Sequence, residues 1–219
     1  MNVFVLSTGR CGSSTFAQAC KHIENYSAAH ESRISHVEKR VAYPDDHIEV
    51  DNHLAWFLGR LDESYGDDAF YVHLKRDLEE TARSRMRRAE GKIDPSLMWA
   101  YGKRIIWENE SADLLDICRH YCETVNSNIG LFLKDKSKTM EFLLESAQTD
   151  FQKFWTNIGA TGDVESALKE WDRRYNATNP ARRPGEHTSR QENPGSMAVR
   201  AAKKAGRLVK KLPQFVRDA

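Results

Sequence analysis

A short run rich in glycine and hydroxyl residues follows the first apolar segment of the chain. That segment is residues 3–6, and a helical pattern begins near Phe16. A loop between a buried strand and a helix can bind an anion, because its amides point inward and the helix N-terminus carries a partial positive charge. Arg10 adds a full charge to this loop. The candidate anion ligands are therefore Arg10, Cys11, Gly12, Ser13, Ser14 and Thr15.

The loop does not match the pattern that binds ATP. That pattern places a lysine directly before a final Ser or Thr, whereas no lysine follows Gly12 here and the basic residue, Arg10, lies inside the loop. The nearest candidate for a magnesium-binding aspartate, Asp135, follows an apolar run that Lys134 interrupts. These features count against an ATPase or a kinase and favour a phosphate or sulfate site that needs no metal.

A second pair of residues could bind another phosphate. Arg76 follows a strand candidate at residues 69–74, and Ser84 lies eight residues later, about two turns up the next helix. A guanidinium fits phosphate oxygens well because its donors form a planar fork. Considered without the first loop, the same segment is more typical of a solvated, arginine-rich helix than of a phosphate site. Asp77 and Glu80 predict the N-terminal cap of that helix.

Together the two motifs resemble those of sulfotransferases that use 3′-phosphoadenosine-5′-phosphosulfate (PAPS). The loop is similar to the family's 5′-phosphosulfate loop, although Arg10 stands where many members have lysine. Arg76 and Ser84, at their spacing of eight, are similar to its 3′-phosphate motif. Residues 131–134 and 151–159 resemble its late strand and the helix after it. The resemblance covers about residues 2–175. It implies a three-layer, P-loop-like sulfotransferase fold, PAPS as donor, adenosine 3′,5′-bisphosphate as product, and no metal.

Sulfuryl transfer to a hydroxyl requires a general base near the acceptor proton. Glu31 follows a strand candidate at residues 27–29, at the edge where parallel sheets place their sites. The segment from Glu31 to Arg33 also resembles the Glu-Thr-Arg segment of tyrosylprotein sulfotransferases, in which the glutamate is the base. We therefore expect Glu31 and Arg10 to be catalytic and Arg33 to contact the substrate.

His53 is the alternative base. It follows a strand candidate at residues 48–50, and cytosolic small-molecule sulfotransferases place a catalytic histidine after a comparable strand. His30 and Asp51 are further alternatives. The expected acceptor is a saccharide, lipid or peptide. Aromatic residues that could line its site are Trp56, Phe57, Trp99, Tyr101 and Trp107. Two other functions stay open: a nucleotide kinase-like phosphotransferase, and a non-catalytic binding protein on the same fold.

The elements that must position these residues alternate between strand and helix. That order predicts an α/β fold with a parallel sheet and helices on both faces. Strand candidates lie at residues 3–6, 27–29, 48–50, 69–74 and 129–133. Helix candidates lie at residues 16–23, 54–61, 77–89, 99–125, 140–144, 151–158 and 164–175.

Length, composition and charge limit the class of protein. A chain of 219 residues with 40% apolar and 30% charged residues has room for one α/β domain, which we place at residues 1–179. Residues 180–196 are typical of a linker, and residues 197–219 form a basic amphipathic tail, in which residues 197–212 predict a helix. Residues 180–219 carry a net charge of +7, so the rest of the chain is acidic. The tail could bind an anionic membrane or a polyanion, and no specific nucleic-acid binding is expected.

Cysteine usage and hydropathy suggest a compartment. The four cysteines form neither a zinc pattern nor a C-x-x-C pair, which indicates buried thiols in a reducing environment. No stretch approaches the length of a membrane span, and the N-terminus is typical of a strand rather than a signal peptide. We therefore expect a cytoplasmic protein, with peripheral membrane attachment through the tail as an alternative.

Overall fold

The computed structural model describes residues 1–90, 96–108, 112–173 and 175. The predicted linker at residues 180–196 and the predicted basic tail at residues 197–219 lie outside the described residues. Within the described residues, no helix is both long enough and apolar enough to cross a membrane.

Five parallel strands form one sheet in the order β2-β3-β1-β4-β5. In the middle strand, Val3 pairs with Ile48 on one side and with Phe70 on the other. The predicted α/β fold with a parallel sheet is therefore confirmed. The strands are β1 (Val3–Ser7), β2 (Ser27–His30), β3 (His47–Val50), β4 (Phe70–Lys75) and β5 (Thr139–Leu143).

Helices connect the strands and cover the sheet. They are α1 (Ser13–Cys20), α2 (Leu58–Tyr65), α3 (Leu78–Glu90), α4 (Ser96–Ala100), α5 (Leu114–Leu133), α6 (Ala147–Asn157) and α7 (Val164–Lys169). A π-helical turn, Tyr101–Ile105, continues α4. Short 3₁₀ turns lie at Asn52–Trp56, Leu144–Ser146 and Glu170–Asp172.

The sheet separates two hydrophobic cores. Side chains alternate along a strand, so Val3 and Val5 enter the core that contains α1, α6 and α7, whereas Phe4 and Leu6 enter the core on the opposite face with α2, α3 and α5. Phe16 of α1 centres the first core, with aromatic rings at 5.0–5.5 Å from its own. Because β1 is buried on both faces, it is a rigid base for the loop that follows it.

Two sequence predictions near the C-terminal end of the domain are wrong. Residues 129–133 form the last turns of α5 rather than a strand, and residues 140–144 lie mostly in β5 rather than in a helix. The run at 129–133 continues the helical spacing of buried residues in α5, and Leu131 within it is 73% exposed. In β5, buried Phe142 stands between exposed neighbours, which is the alternation of an edge strand.

Candidate functional site

The predicted anion ligands lie in the segments that follow the carboxyl ends of β1 and β4. The chain leaves β1 towards β2 on one side of the sheet and leaves β4 towards β5 on the other. Open parallel sheets bind ligands at such a point of divergence, because the connections separate there and leave a cleft. Arg10 follows β1 and Arg76 follows β4, so the fold brings the two predicted phosphate sites to this cleft.

The loop between β1 and α1 has an unusual backbone. Gly9, Arg10 and Gly12 all have left-handed conformations, with φ of 74°, 66° and 90°. Successive turns of this kind direct amide groups into a concave surface that suits an anion. Gly12 begins α1 without a side-chain cap, so the first turn presents its amides to the loop. A left-handed arginine costs about 1 kcal/mol, and such strain concentrates at functional sites.

Direct contacts join the two predicted sites. Arg10 Nε donates a hydrogen bond to Ser84 Oγ at 3.2 Å, and Arg76 Nη1 donates to the Arg10 carbonyl at 3.5 Å. Arg76 also forms an ion pair of 3.1 Å with Glu80. The predicted capping box of α3 forms only in part. Glu80 N donates to Asp77 Oδ1, but the Glu80 carboxylate faces Arg76 rather than the backbone of the cap. Ser84 is buried, so its hydroxyl belongs to the cleft rather than to the outer face of α3.

Two further arginines of α3 surround the loop, and sequence reasoning missed both as site residues. Arg85 is only 8% exposed; it donates to the Thr8 carbonyl, and its guanidinium lies 4.3 Å from the centre of the Tyr121 ring. Its Nε is buried without a hydrogen-bond partner. Neither Arg85 nor Arg88 forms an ion pair with any described residue. The helix around Ser84 contains four arginines, and that density was the available signal.

These charges perturb one another. Burial, followed by the charges of Arg88 and Arg85, lowers the pKa of Arg10 to about 10. Arg10 therefore stays protonated at neutral pH in a strongly positive setting. We call Arg10, Arg76, Arg85 and Arg88 the arginine cluster. A bound anion would reduce the repulsion among its members, which makes the cleft a good site for a ligand with several negative charges.

The two candidate bases lie in one group. One oxygen each of Glu31 and Asp51 and one ring nitrogen of His53 all lie within 4.8 Å of one another. Glu31 follows β2, whereas Asp51 and His53 follow β3, so neighbouring parallel strands deliver them to the same edge. Glu31 has a left-handed backbone, with φ of 51°. The rival His30 lies elsewhere, with its Nε2 at 3.3 Å from Ser13 Oγ, and it connects the end of β2 to the anion loop.

Asp51 orients His53. Its Oδ1 accepts from His53 N at 2.7 Å and faces His53 Nδ1 at 3.1 Å, and its Oδ2 accepts from the buried Arg40 at 2.6 Å. Burial raises the pKa of Asp51, but the hydrogen bonds from His53 and the Arg40 charge outweigh it and lower the pKa overall. The hydrogen bond to Asp51 raises the pKa of His53 despite burial, and the charges of Asp51 and Glu31 add to that rise. Asp51 therefore fixes the orientation of the His53 ring through Nδ1.

The same three residues have the composition of a divalent metal site, but their contacts do not fit one. Asp51 uses one oxygen for Arg40 and the other for His53. A metal ion there would have to displace a buried guanidinium, whose positive charge opposes it. The geometry suits proton transfer better than metal binding.

The structure also places two other residues that the sequence analysis considered, Asp135 and Arg33. Asp135 follows α5, not a strand, so it cannot serve as a strand-end magnesium ligand. Asp51 does follow a strand beside β1, but its two oxygens already contact Arg40 and His53. Arg33 lies 5.8 Å from the centre of the Tyr43 ring and forms no ion pair among the described residues. Its contact with the substrate stays a prediction.

Exposed aromatic residues occur near the candidate bases. Trp56 lies in the same 3₁₀ turn as His53 and is 42% exposed, with its ring 6.3 Å from that of Tyr121. Trp99 and Trp107 are also exposed, whereas Tyr101 is buried in the core. Among the aromatic residues named for the acceptor site, Trp56 is therefore the one that lies in the same turn as His53.

Comparison with known proteins finds no match: no protein-family model matches the chain, and neither curated proteins nor solved structures give a significant similarity. Function is therefore inferred from the geometry of the cleft.

The loop conformation gives a prediction for stability. In Gly9→Ala, a Cβ would lie 2.7 Å from Arg85 Nη2 and 3.2 Å from Asn52 Cγ, at a φ of 74°. We expect a loss of about 1–2 kcal/mol in the free energy of unfolding, since an alanine must hold a left-handed conformation. Urea denaturation measures this change in the free energy of unfolding. Gly130→Ala, at an open helical position, is the control and should stabilise by about 0.5–1 kcal/mol. Equal stability of Gly9→Ala and wild type would contradict the loop geometry.

The Asp51–His53 contact predicts a dependence of stability on pH. Because folding raises the pKa of His53 above its ordinary value of 6.5, the pair's added stability is complete below pH 6.5 and disappears as pH rises through the raised value. His53→Gln should therefore lose more stability relative to wild type at pH 5.5 than at pH 9. His53 is partly exposed, so we expect a difference below about 1 kcal/mol in urea unfolding. A constant difference across this range would argue against the contact.

Proposed function

We propose that this protein is a PAPS-dependent sulfotransferase on a P-loop-like α/β fold. The observation that carries the proposal is the arginine cluster around a left-handed strand-to-helix loop, with a carboxylate–imidazole group at the neighbouring strand ends. The cluster offers charge for a donor with two separate anionic groups. The carboxylate–imidazole group offers a base for the acceptor. Together they match the requirements of sulfuryl transfer from a doubly phosphorylated nucleotide.

The donor's two anionic ends would use different parts of the cleft. The loop amides and Arg10 would hold the 5′-phosphosulfate, with the hydroxyls of the first turn of α1 as further donors. Arg76 and Ser84 would hold the 3′-phosphate. The Arg10–Ser84 contact of 3.2 Å supports this division, because the two ends of one nucleotide require adjoining sites. Arg85 would supply positive potential from beneath the loop.

The reaction is an in-line displacement at sulfur. The acceptor oxygen or nitrogen forms a bond to sulfur while the bond from sulfur to the 5′-phosphate oxygen breaks, and adenosine 3′,5′-bisphosphate leaves. Arg10 and the loop amides would stabilise charge on the transferring group and on the leaving phosphate. Removal of such preorganised donors from other enzymes costs about 3–4 kcal/mol each. Glu31 would take the acceptor proton.

Besides being the alternative base, His53 would have a second role beside Glu31. Its raised pKa favours the imidazolium form, which donates rather than accepts a proton. The imidazolium would orient the Glu31 carboxylate towards the acceptor. We therefore retain Glu31 as the proposed base and His53 as the alternative. Either base serves an acceptor hydroxyl or amine of a saccharide, lipid or peptide, and Trp56 would contribute an apolar surface to its site.

A direct test compares two nucleotides by isothermal titration calorimetry. We expect adenosine 3′,5′-bisphosphate to bind without magnesium at least tenfold more tightly than ATP, because only the bisphosphate presents a 3′-phosphate to Arg76 and Ser84. A magnesium-dependent preference for ATP would support a phosphotransferase instead. Binding of neither nucleotide would support a non-catalytic binding protein. Either of those results would overturn the proposal.

A further inference from the structure

One buried carboxylate has no role in the reaction described above. Glu49 of β3 is 0% exposed, and it lies two residues before Asp51. Its Oε1 accepts from Ser32 N at 2.7 Å, and its Oε2 accepts from Ser32 Oγ at 2.6 Å. Two short hydrogen bonds to one buried carboxyl group are among the stronger contacts in proteins. Glu49 therefore holds Ser32, the residue that directly follows Glu31, in place.

The other side of Glu49 is equally well held. His47 lies on the same face of β3, with its Nε2 at 3.1 Å from Glu49 Oε2 and its Nδ1 at 2.8 Å from Ser27 Oγ. The Tyr43 ring stacks on the imidazole at 5.5 Å between centres and 12° between planes. A neutral imidazole satisfies both contacts if Nε2 donates to Glu49 and Nδ1 accepts from Ser27. The carboxylate is thus fixed from within the sheet.

Glu31 needs such support because of its backbone. Its φ of 51° is a left-handed conformation that disfavours side chains by about 1 kcal/mol. Its own amide donates to the Val50 carbonyl at 3.1 Å, at the end of β3. The next amide and hydroxyl, both from Ser32, bind Glu49. Three hydrogen bonds to a single neighbouring strand therefore hold the turn in which Glu31 stands.

We propose that Glu49 is a positioning residue, which acts through Ser32 to hold the Glu31 carboxylate beside His53. This inference rests on the proposed function, because it assigns a purpose to the position of Glu31 in the site. Glu49 contacts neither donor nor acceptor. Its effect is to fix the turn that carries the proposed base. β3 would then serve both candidate bases: Glu49 positions Glu31, and Asp51 positions His53.

The test uses the ¹H–¹⁵N titration of His53 in the full-length protein, with the signal assigned from its loss in His53→Gln. His53 faces Asp51, Glu31 and Arg40, and the Glu31 charge contributes to raising its pKa. If Glu49 and Ser32 hold Glu31 in place, Ser32→Ala and Glu49→Gln should both lower the titration midpoint of His53. Glu31→Gln should lower it as well and serves as the reference.

Matched variants separate positioning from general loosening of the fold. Ser32→Thr retains the hydroxyl and should restore the wild-type midpoint. Ser35→Ala removes an exposed hydroxyl from the same loop, whose contact is with His36, and should leave the midpoint unchanged. Added to Glu31→Gln, Ser32→Ala should produce no further shift. Ser32 is exposed, so Ser32→Ala should remain folded and decides the question even if Glu49→Gln does not fold.

Two results would overturn the positioning role. One is a His53 midpoint in Ser32→Ala equal to that of wild type. The other is a shift in Ser32→Ala that persists undiminished in the Glu31→Gln background. Binding of adenosine 3′,5′-bisphosphate is measured in parallel and should be the same in Ser32→Ala and wild type. Failure of wild type to bind it would overturn the proposed function, whereas the titration alone decides the positioning role.

Discussion

Replacement of Glu31 by glutamine should reduce the rate of sulfuryl transfer by roughly 10²- to 10⁴-fold, the contribution typical of a general base. The amide has nearly the shape of the carboxylate but cannot take the acceptor proton. PAPS should still bind, because the arginine cluster lies after β1 and β4, whereas Glu31 follows β2. The measurement is a single-turnover rate at saturating PAPS, with an acceptor identified by screening.

His53 provides the contrast for this experiment. If His53 is the base, His53→Ala should abolish turnover, and Glu31→Gln should stay within a few-fold of wild type. If Glu31 is the base, His53→Ala should have the smaller effect of the two, because it removes only a partner of the carboxylate. Near-wild-type rates in both variants would show that neither residue is the base and that the acceptor site lies elsewhere.

Loss of Arg76 or Ser84 should weaken binding of the bisphosphate by roughly 10- to 150-fold, which corresponds to about 1.5–3 kcal/mol for a charge-assisted hydrogen bond. Arg76→Ala and Ser84→Ala should retain their affinity for adenosine 5′-phosphosulfate, which has no 3′-phosphate. Calorimetry with both nucleotides measures the difference. The effect follows from the position of both side chains in the cleft beside Arg10.

A matched control lies on the same helix. Arg83 is exposed and forms an ion pair with Glu79 at 2.6 Å, so Arg83→Ala removes a similar charge from α3 outside the cleft. It should leave the affinity for both nucleotides nearly unchanged. Equal weakening by Arg83→Ala and Arg76→Ala would mean that only the general charge of α3 matters. Equal bisphosphate affinity of wild type, Arg76→Ala and Ser84→Ala would end the assignment of a 3′-phosphate site.

The elements with strong local signals could be predicted from the sequence. β1 is an unbroken apolar run that ends in a glycine-rich turn, and the pattern places it correctly. The error at residues 129–133 arose because a short apolar run does not distinguish a strand from a buried helix segment. The helical spacing that begins at Ile117 was the better guide, since it continues to Ile129.

The candidate site also has some residues that the sequence reveals and others that it does not. The loop and the Arg76–Ser84 pair were visible because each follows a strand at a fixed spacing. Arg40, Arg85 and Glu49 were not visible, because their roles depend on contacts between segments that are distant in the chain. Arg85 in particular looks like a solvated helix residue in the sequence, and only the packing of α3 against α5 buries it. Sequence spacing does not report burial of this kind.

Under the proposed function, the order of the strands bears on how acceptor preference can diverge. The arginine cluster follows the two central strands β1 and β4, whereas the turn with Glu31 follows β2, an outer strand of the sheet. Mutations in the segment after β2 could change which acceptor is recognised without disturbing the core that supports donor binding. Acceptor preference could therefore evolve one loop at a time, while the donor stays the same.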